Sequence, residues 1–418
     1  MHQNSSRRAG PIQGIILLAV TMFPVMGVVL IAPIAPMLGA AFAGQPGAAY
    51  LTGIALTAPA LAVALFSPFI GALVDRFGAL RTLLWALTLY APIGVAPMVL
   101  DNLFGIIACR LALGVAEAAI MTSIFSLLAG YYQHEDRTRW IAYLTTVAGL
   151  GGMVLYIVGG ALGEIGWRAT FGAYGLSWLI ILPAFYFLYE PSSVKSTHEL
   201  AAEQQKERVP YASLLSVCGL TMINAFFFYI IPLQFSVLLT AAGIHSPAQL
   251  GLMIAIAGCG YPLGGLSYRL LCRKSQAALL GGYGILAAFG LAWAAMALTP
   301  PQMIVGAFIH QVASGALYAI LQNAVMRILP PSRQGFGNGA SMTAFAAGQF
   351  VCPVIVTGVL GASVSLRSGF ATLAFALFVF ALAASYILRR ISGRPDDGAA
   401  GFNQRSSLLP SSSGSDRV

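Results

Sequence analysis

The most evident deficit in this sequence is charge. Charged residues make up 8% of the 418 residues, whereas soluble globular proteins carry about 25%. Apolar residues make up 58%, and the mean hydropathy is +0.82. A water-soluble fold of this length needs far more charge to cover its surface. The composition therefore excludes a soluble enzymatic or nucleotide-binding domain and predicts a protein that is largely surrounded by lipid.

Cysteine is also scarce. The chain has five cysteines, four of them inside apolar runs and the fifth, Cys272, in a basic turn. This distribution gives no disulfide framework, and we interpret all five as reduced packing residues. The polar turn at His134, Glu135 and Asp136 lacks metal-ligand geometry, so no metal and no cofactor is predicted.

What the chain does contain is twelve long apolar runs. A bilayer core about 30 Å thick requires roughly 20 apolar residues per helix, and helices satisfy their own backbone groups within lipid. The strands of a membrane β-barrel would alternate apolar and polar residues with a period of two, whereas these runs are apolar throughout. The sequence predicts an all-α integral membrane protein with twelve transmembrane helices, spans 1 to 12, over residues 14–37, 49–70, 82–100, 104–130, 138–163, 169–190, 211–240, 248–269, 277–298, 302–329, 337–361 and 366–391.

The basic residues lie on one side of these spans. If the N-terminus is inside, all of the 22 basic residues face the cytoplasm except Arg110, Arg168 and Arg367. This is a strong positive-inside bias. It accounts for the net charge of +9 without nucleic acid as a partner. It predicts a multi-pass protein of the cell membrane (inner or plasma membrane) with both termini cytoplasmic.

The domain organisation follows from the polar segments. We predict a cytoplasmic N-terminus over residues 1–13, a six-helix bundle over 14–190, a cytoplasmic linker over 191–210, a second six-helix bundle over 211–391, and a disordered cytoplasmic tail over 392–418, which is rich in Gly, Ser and Pro.

The two bundles are predicted to be pseudo-symmetric. Gly71-x-Leu73-x-x-Arg76 after span 2 recurs as Gly264-x-Leu266-x-x-Arg269 after span 8. In span 4, Arg110-x3-Gly114 corresponds to Gln311-x3-Gly315 in span 10. Elements that recur in the same order indicate a duplicated six-helix unit.

The charged turn after span 2 is the first candidate functional element. Its residues are Gly71, Asp75, Arg76, Gly78 and Arg81. The glycines allow a tight turn and close approach of neighbouring backbone. We expect Asp75 to meet a basic residue or a helix N-terminus of the opposite bundle when the cytoplasmic side is closed, so that the turn acts as a gate. The alternative is an ordinary solvated hairpin.

Glu117 is the one acidic residue deep in a predicted span, about 13 residues into span 4. An acidic residue at that depth costs about 2.5–3.5 kcal/mol on insertion scales and usually marks a pathway. We predict reversible protonation of Glu117. The alternative is a permanently protonated, hydrogen-bonded packing residue.

Arg110 lies seven residues before Glu117 on nearly the same face, about 10.5 Å away along the helix axis. Because this separation is too long for a direct ion pair, we expect a cavity, water or substrate between the two. Arg110 is predicted to take part in proton coupling or to hold an anionic group, or else to pin the helix to backbone carbonyls. At the outer end of span 5, Glu164 and Arg168 are predicted to form a structural pair.

These features resemble the major facilitator superfamily over residues 14–391. The family's turn between helices 2 and 3 reads G-x-L-x-D-R-x-G-R-K, and this sequence supplies Gly71, Leu73, Asp75, Arg76 and Gly78. It departs at Ala79 and Leu80, which replace the basic pair, and Arg81 restores one charge. Arg110 and Gly114 resemble the R-x-x-x-G pattern of the family's helix 4.

Span 5 is similar to the glycine pattern of proton-coupled antiporters, which ends G-P-x-x-G-G. Gly151, Gly159 and Gly160 fit it, while Leu155-Tyr156 stand where Gly-Pro is expected. The resemblance implies a fold whose spans 1, 4, 7 and 10 line a central cavity.

In spans 7 and 10 that cavity would receive Asn224, His310, Gln311 and Tyr318. His310 is predicted to relay protons or bind substrate, or else merely to hydrogen-bond a neighbouring helix. The aromatic run Phe226-Phe227-Phe228 suits a lipophilic ligand, although we favour packing in the core or against lipid as its role.

The sequence therefore predicts a secondary transporter that moves a small organic solute by alternating access, and not an enzyme. We expect proton-coupled efflux of a lipophilic, drug-like compound, with Glu117 as proton carrier. The alternative is proton-coupled uptake of a small organic anion held by Arg110. A membrane enzyme would need clustered His, Asp or nucleophilic residues, and a transport-dead receptor would have lost Glu117. The expected partners are the substrate, protons and lipid, and a monomer is expected.

Overall fold

A computed structural model of the protein describes residues 9–191, 209–271, 274–330, 333–363 and 365–392. Residues 1–8, nearly all of the predicted linker, and residues 393–418 of the predicted tail lie outside the described residues. Within the described ranges, twelve helical segments are long and apolar enough to cross a membrane. This agrees with the twelve spans that the sequence predicts, and their numbering is kept.

Among the first six spans, spans 1 and 6 are broken into shorter helices and spans 2 to 5 are single longer helices. Their helices are Pro11–Val20, Met22–Val29 and Ala35–Ala41 in span 1, Ala48–Phe77 in span 2, Ala79–Val95 in span 3, Leu103–Tyr131 in span 4, His134–Ile165 in span 5, and Trp167–Gly172 with Ser177–Phe187 in span 6.

The other six spans follow the same order. Their helices are Tyr211–Ala241 in span 7, Pro247–Gly258 and Gly260–Leu271 in span 8, Gln276–Met296 in span 9, Pro300–Ile328 in span 10, Gln334–Ala362 in span 11, and Leu366–Ser392 in span 12.

One predicted boundary is wrong. The charged turn was expected to begin at Gly71, but span 2 continues as a helix to Phe77, and only Gly78 joins it to span 3. No residue between Gly71 and Phe77 breaks a helix. Gly78 does so with φ +92°, a conformation that glycine adopts without steric cost.

Span 1 is interrupted before its last helical piece. The helix Met22–Val29 ends four residues before Pro33, which lacks the N–H that would bond to the carbonyl of Val29. A short 3₁₀ turn, Ala32–Ile34, then leads into the last helical piece.

The two bundles repeat one packing scheme. In the first bundle, span 4 packs on spans 2 and 3, span 3 on span 6, and span 1 on span 5. In the second, span 10 packs on spans 8 and 9, span 9 on span 12, and span 7 on span 11. Because each pair recurs six spans later, the pseudo-symmetry predicted from the short repeats is confirmed.

Span 5 packs on span 8 and span 2 on span 11, and these two pairs form the main interface between the bundles. We call the end of the molecule with the Gly78 turn and Glu190 the linker end, and the opposite end, with the Gly166 turn, the far end. Among the described residues, the hydrogen bonds that join the bundles are Thr57 Oγ1 to the Phe350 carbonyl, and Ser246 Oγ and the Ala248 N–H to Glu164, all in the far half, and Cys259 Sγ to Met153 Sδ near mid-span.

Candidate functional site

Glu117 lies in the interior of the first bundle. Its side chain is 4% exposed and faces the middle piece of span 1, where a Cβ added to Gly27 would stand 2.0 Å from Glu117 Oε1. Span 1 can approach this closely only because residue 27 has no side chain. Among the described residues, Glu117 Oε1 has no hydrogen-bond partner. This bare oxygen in a nearly closed site is available to a proton, a water molecule or a substrate group.

Arg110 is fixed by the protein itself. It is 1% exposed, and its Nε and Nη2 donate to the carbonyls of Ala55 (3.0 Å) and Leu56 (3.4 Å) in span 2. Its Nη1 donates to the hydroxyl of Tyr174 at 2.9 Å. All three guanidinium nitrogens therefore bond to protein groups, which is the pinning role among the predicted alternatives.

Two tyrosines connect this network to span 1. Tyr174 Oη donates to the carbonyl of Met26 at 3.1 Å, and Tyr90 Oη donates to that of Phe23 at 2.5 Å. Both side chains are fully buried, and their rings lie 5.7 Å apart. Sequence reasoning missed both residues, although a phenolic hydroxyl in mid-span needs a partner and was a usable signal.

The space between Arg110 and Glu117 differs from expectation. The intervening Gly114 lies against the backbone of span 2, where an added Cβ would stand 2.4 Å from the Pro59 carbonyl oxygen. This part of the face is a helix-packing surface, and the water or substrate expected there is displaced by span 2.

The cavity residues predicted in spans 7 and 10 are mostly enclosed. Asn224 and Gln311 are each 2% exposed, and within the described part of the chain Asn224 Nδ2 and Gln311 Oε1 lack hydrogen-bond partners. His310 is fully buried, with its ring nitrogens 3.0 and 3.1 Å from the carbonyl oxygens of Ala287 and Phe227. His310 thus contacts the helices beside it.

Tyr318 belongs to an aromatic cluster in the second bundle. Its ring lies 4.9 Å from that of Phe345 and 6.4 Å from that of Tyr261. Phe345 also contacts Tyr229 at 5.6 Å and Phe228 at 5.9 Å. We call these five rings from spans 7, 8, 10 and 11 the aromatic cluster. All five side chains are partly exposed, so the cluster presents ring faces to its surroundings.

The candidate gate at the linker end is exposed. Asp75, Arg76 and Arg81 are all exposed, and in the described ranges no salt bridge to Asp75 is present. A Cβ added to Gly71 would meet nothing within 4 Å. The contact between Asp75 and the opposite bundle stays a prediction for a conformation closed at this end.

Glu190 is a residue of this turn that sequence reasoning missed. Its Oε1 and Oε2 accept from the backbone N–H groups of Ala79 and Leu80, each at 2.8 Å. A carboxylate is favoured at a helix N-terminus because the first N–H groups have no intrahelical partner. The backbone of the two residues that replace the family's basic pair therefore ties the turn to the end of span 6.

The glycines of span 5 are packing positions at two different surfaces. Added Cβ atoms would stand 2.2 Å from Met22 Cε at Gly151 and 1.9 Å from the Leu30 carbonyl oxygen at Gly159, both in span 1. At Gly160 the added Cβ would stand 2.3 Å from the Pro247 carbonyl oxygen in span 8. Gly160 therefore faces the other bundle.

The predicted pair of Glu164 with Arg168 is wrong. Arg168 pairs with Asp101. Glu164 accepts from Ser246 Oγ and, at 3.1 Å, from the N–H of Ala248. Because these two groups lie at the N-terminus of span 8, the carboxylate caps a helix of the other bundle.

Comparison with known proteins places this geometry in context. The chain matches the family model described as Major Facilitator Superfamily over residues 17–353 and 218–413. It is 28% identical to the tetracycline resistance protein, class B, of Escherichia coli over 217 residues, which cover 50% of this chain and 53% of that protein. It is 27% identical to the class C protein of Escherichia coli over 382 residues, 85% of this chain and 92% of that protein.

A third relative is the multidrug efflux protein YfmO of Bacillus subtilis, 26% identical over 209 residues, 49% of this chain and 51% of that protein. Among solved structures, a bacterial homolog of the human lysosomal transporter Spinster superposes with a TM-score of 0.74 at 16% identity, covering 92% of this chain and 98% of that one. A D-xylose–proton symporter gives 0.74 at 13% identity, with 90% and 97% covered. These structures share the fold.

Proposed function

The chain belongs to the Major Facilitator Superfamily, and from this premise we propose that it exports a lipophilic, drug-like compound in exchange for protons. It is a membrane transporter and not an enzyme. Efflux, proton coupling and the class of substrate form the proposal.

The orientation in this proposal rests on charge. The basic residues of the turns concentrate at the linker end, which we therefore assign to the cytoplasm of the cell. The hydrogen bonds described between the bundles lie in the far half or near mid-span. The central cavity would then open to the cytoplasm in this conformation, and substrate would enter from inside the cell or from the inner leaflet.

One observation carries proton coupling: the buried Glu117 carboxyl has an oxygen without a hydrogen-bond partner among the described residues. A carboxylate in such a place is costly unless it is neutralised. Protonation at the outer face and release at the inner face would let the membrane potential and pH gradient drive the cycle. One charge that crosses 100 mV releases about 2.3 kcal/mol.

Two observations support the proposed substrate class: the aromatic cluster, and the hydrogen bonds that already occupy Arg110. Five partly exposed rings can stack on a flat, apolar compound. Arg110, the expected anchor for an organic anion, is 1% exposed and donates to Ala55, Leu56 and Tyr174. Relatives named for tetracycline resistance and multidrug efflux point in the same direction.

The test is transport in proteoliposomes that carry an imposed pH gradient. A panel of lipophilic compounds is screened first for gradient-driven accumulation by the wild-type protein. Glu117→Gln should abolish accumulation against a gradient but keep substrate exchange at equilibrium, because the neutral side chain still fits. Glu117→Asp should retain part of the accumulation.

Glu135→Gln is the matched control, since this exposed acid lies in the first turn of the helix of span 5 and should leave transport unchanged. Full gradient-driven accumulation by Glu117→Gln would disprove the proton role. Accumulation of organic anions alone, inward with respect to the cell, would instead support the uptake alternative.

A further inference from the structure

His310 has an unusual pair of neighbours. Its Nδ1 lies 3.0 Å from the carbonyl oxygen of Ala287 in span 9, and its Nε2 lies 3.1 Å from that of Phe227 in span 7. The side chain is fully buried. Spans 9 and 10 touch through their backbones here, since a Cβ added to Gly290 would stand 2.5 Å from His310 N. The ring is therefore held between two carbonyls on rigid helices.

Carbonyl oxygens only accept hydrogen bonds, and this fact constrains the ring. A neutral imidazole has one N–H, so one of its nitrogens would direct a lone pair at a carbonyl oxygen. An imidazolium has two N–H groups and would make two charge-assisted hydrogen bonds in this geometry. We propose that His310 is a second proton-binding site of the transporter, and that its proton fastens spans 7, 9 and 10 to one another.

The step is a simple protonation. The lone pair of the bare ring nitrogen takes a proton from water when the site is accessible, and the new N–H then donates to the facing carbonyl. When span 7 moves relative to span 9, one carbonyl is withdrawn and that nitrogen returns the proton to water. The inference does not depend on Glu117 and holds whether or not Glu117 couples transport.

The surroundings contain no acidic side chain that would stabilise the charge. Spans 7 to 12 carry no Asp or Glu, and their charged residues stand at span ends: Arg269, Arg327, Arg333, Arg367, Arg389 and Arg390. Their other titratable side chains are Tyr211, Cys218, Tyr229, Cys259, Tyr261, Tyr268, Tyr283, Tyr318, Cys352 and Tyr386. Burial without water works against a charged ring. The two carbonyl oxygens replace that water, and their removal would release the proton.

The first bundle holds its corresponding span in a similar way. Arg110 donates to the carbonyls of Ala55 and Leu56 in span 2, and Gln311, its counterpart in the repeat, directly follows His310. In each bundle, the fourth span is therefore held by a side-chain nitrogen that contacts backbone carbonyls of neighbouring spans: Arg110 in span 4 and His310 in span 10. The difference is that guanidinium keeps its proton in proteins, whereas imidazole exchanges its proton near neutral pH.

The experiment is NMR of the full chain in liposomes with ¹⁵N-labelled histidine. Replacing the other four histidines by glutamine (His2, His134, His198 and His245) leaves His310 as the only labelled residue, so no variant at position 310 itself has to fold. Substrate exchange, measured against the wild type, verifies that this variant is functional.

At pH 5.5 we expect both ring nitrogens of His310 to carry a proton, so that the signal of a bare ring nitrogen is lost. A single bare nitrogen on His310 at pH 5.5 would overturn the proposal and leave His310 as a neutral packing residue. Failure of proton-coupled transport in Glu117→Gln would not change this spectrum, so the two proposals are tested separately.

Discussion

Gly160 provides a direct test of how the bundles separate at the far end. A Cβ added there would stand 2.3 Å from the carbonyl oxygen of Pro247, and ordinary contact begins at 3.4 Å. Gly160→Ala therefore requires spans 5 and 8 to move apart by about 1.1 Å. The obstacle is the backbone of span 8 and not a mobile side chain, so the helices themselves must shift.

The cost should fall on one conformation. Overpacking a close contact costs about 1–3 kcal/mol, and in the proposed transport cycle this contact exists only while the far end is closed. A bias of that size changes a two-state equilibrium by about 5- to 150-fold. We expect Gly160→Ala to raise the population that is open at the far end by a factor in this range.

The assay measures the distance between spin labels on two exposed far-end positions of the two bundles. Ala43 and Ser365 are suitable because both are exposed and neither lies in the interface of spans 5 and 8. Labelled in a cysteine-free background, the wild type should give mainly the short distance. Gly160→Ala should add a longer one.

Two other glycines of span 5 serve as controls. Gly149→Ala should change nothing, because a Cβ there meets no atom within 4 Å. Gly159→Ala meets the Leu30 carbonyl oxygen at 1.9 Å within one bundle, so it should lower the melting temperature without shifting the distances. An unchanged distance distribution for a folded Gly160→Ala variant would refute the reasoning.

Three further predictions concern residues of the first bundle. Tyr174→Phe should lower the free energy of unfolding by about 1–3 kcal/mol, because Arg110 Nη1 loses its acceptor. Denaturation in detergent measures this change. Tyr186→Phe, at an exposed tyrosine, should have no effect. Glu190→Gln should lower it by about 1 kcal/mol and speed hydrogen exchange at the two amides that it caps. Asp75→Asn should leave the melting temperature unchanged, because Asp75 is exposed, yet slow transport; an equal effect on both would contradict the gating role.

Several features followed from the sequence because they depend on local composition. Twelve apolar runs had to become helices, since lipid offers no partner for backbone N–H and C=O groups. Glu117 stood out because an acidic side chain at that depth is costly and therefore rare. A turn that contains Gly78 was expected because glycine tolerates a positive φ, although the turn begins at Gly78 and not at Gly71.

Other features depended on residues far apart in the chain. Arg110 was identified as a candidate because of its charge. Its partners Ala55 and Tyr174 lie in spans 2 and 6, and no pattern in the sequence indicates that they contact Arg110. The partner of Glu164 is Ser246, in the other bundle, because helix packing brings the end of span 5 to the start of span 8. The nearer Arg168, four residues away, points to Asp101 instead.

The sequence by itself determined the lipid environment, the number of spans, the repeat and the one deep acid, because hydropathy and charge act residue by residue. Only the tertiary structure decided where the bundles touch and which carbonyls face Arg110 and His310. Those contacts arise from the close approach of helices at glycines such as Gly27, Gly160 and Gly290, and a glycine in a sequence does not specify the helix that it will meet.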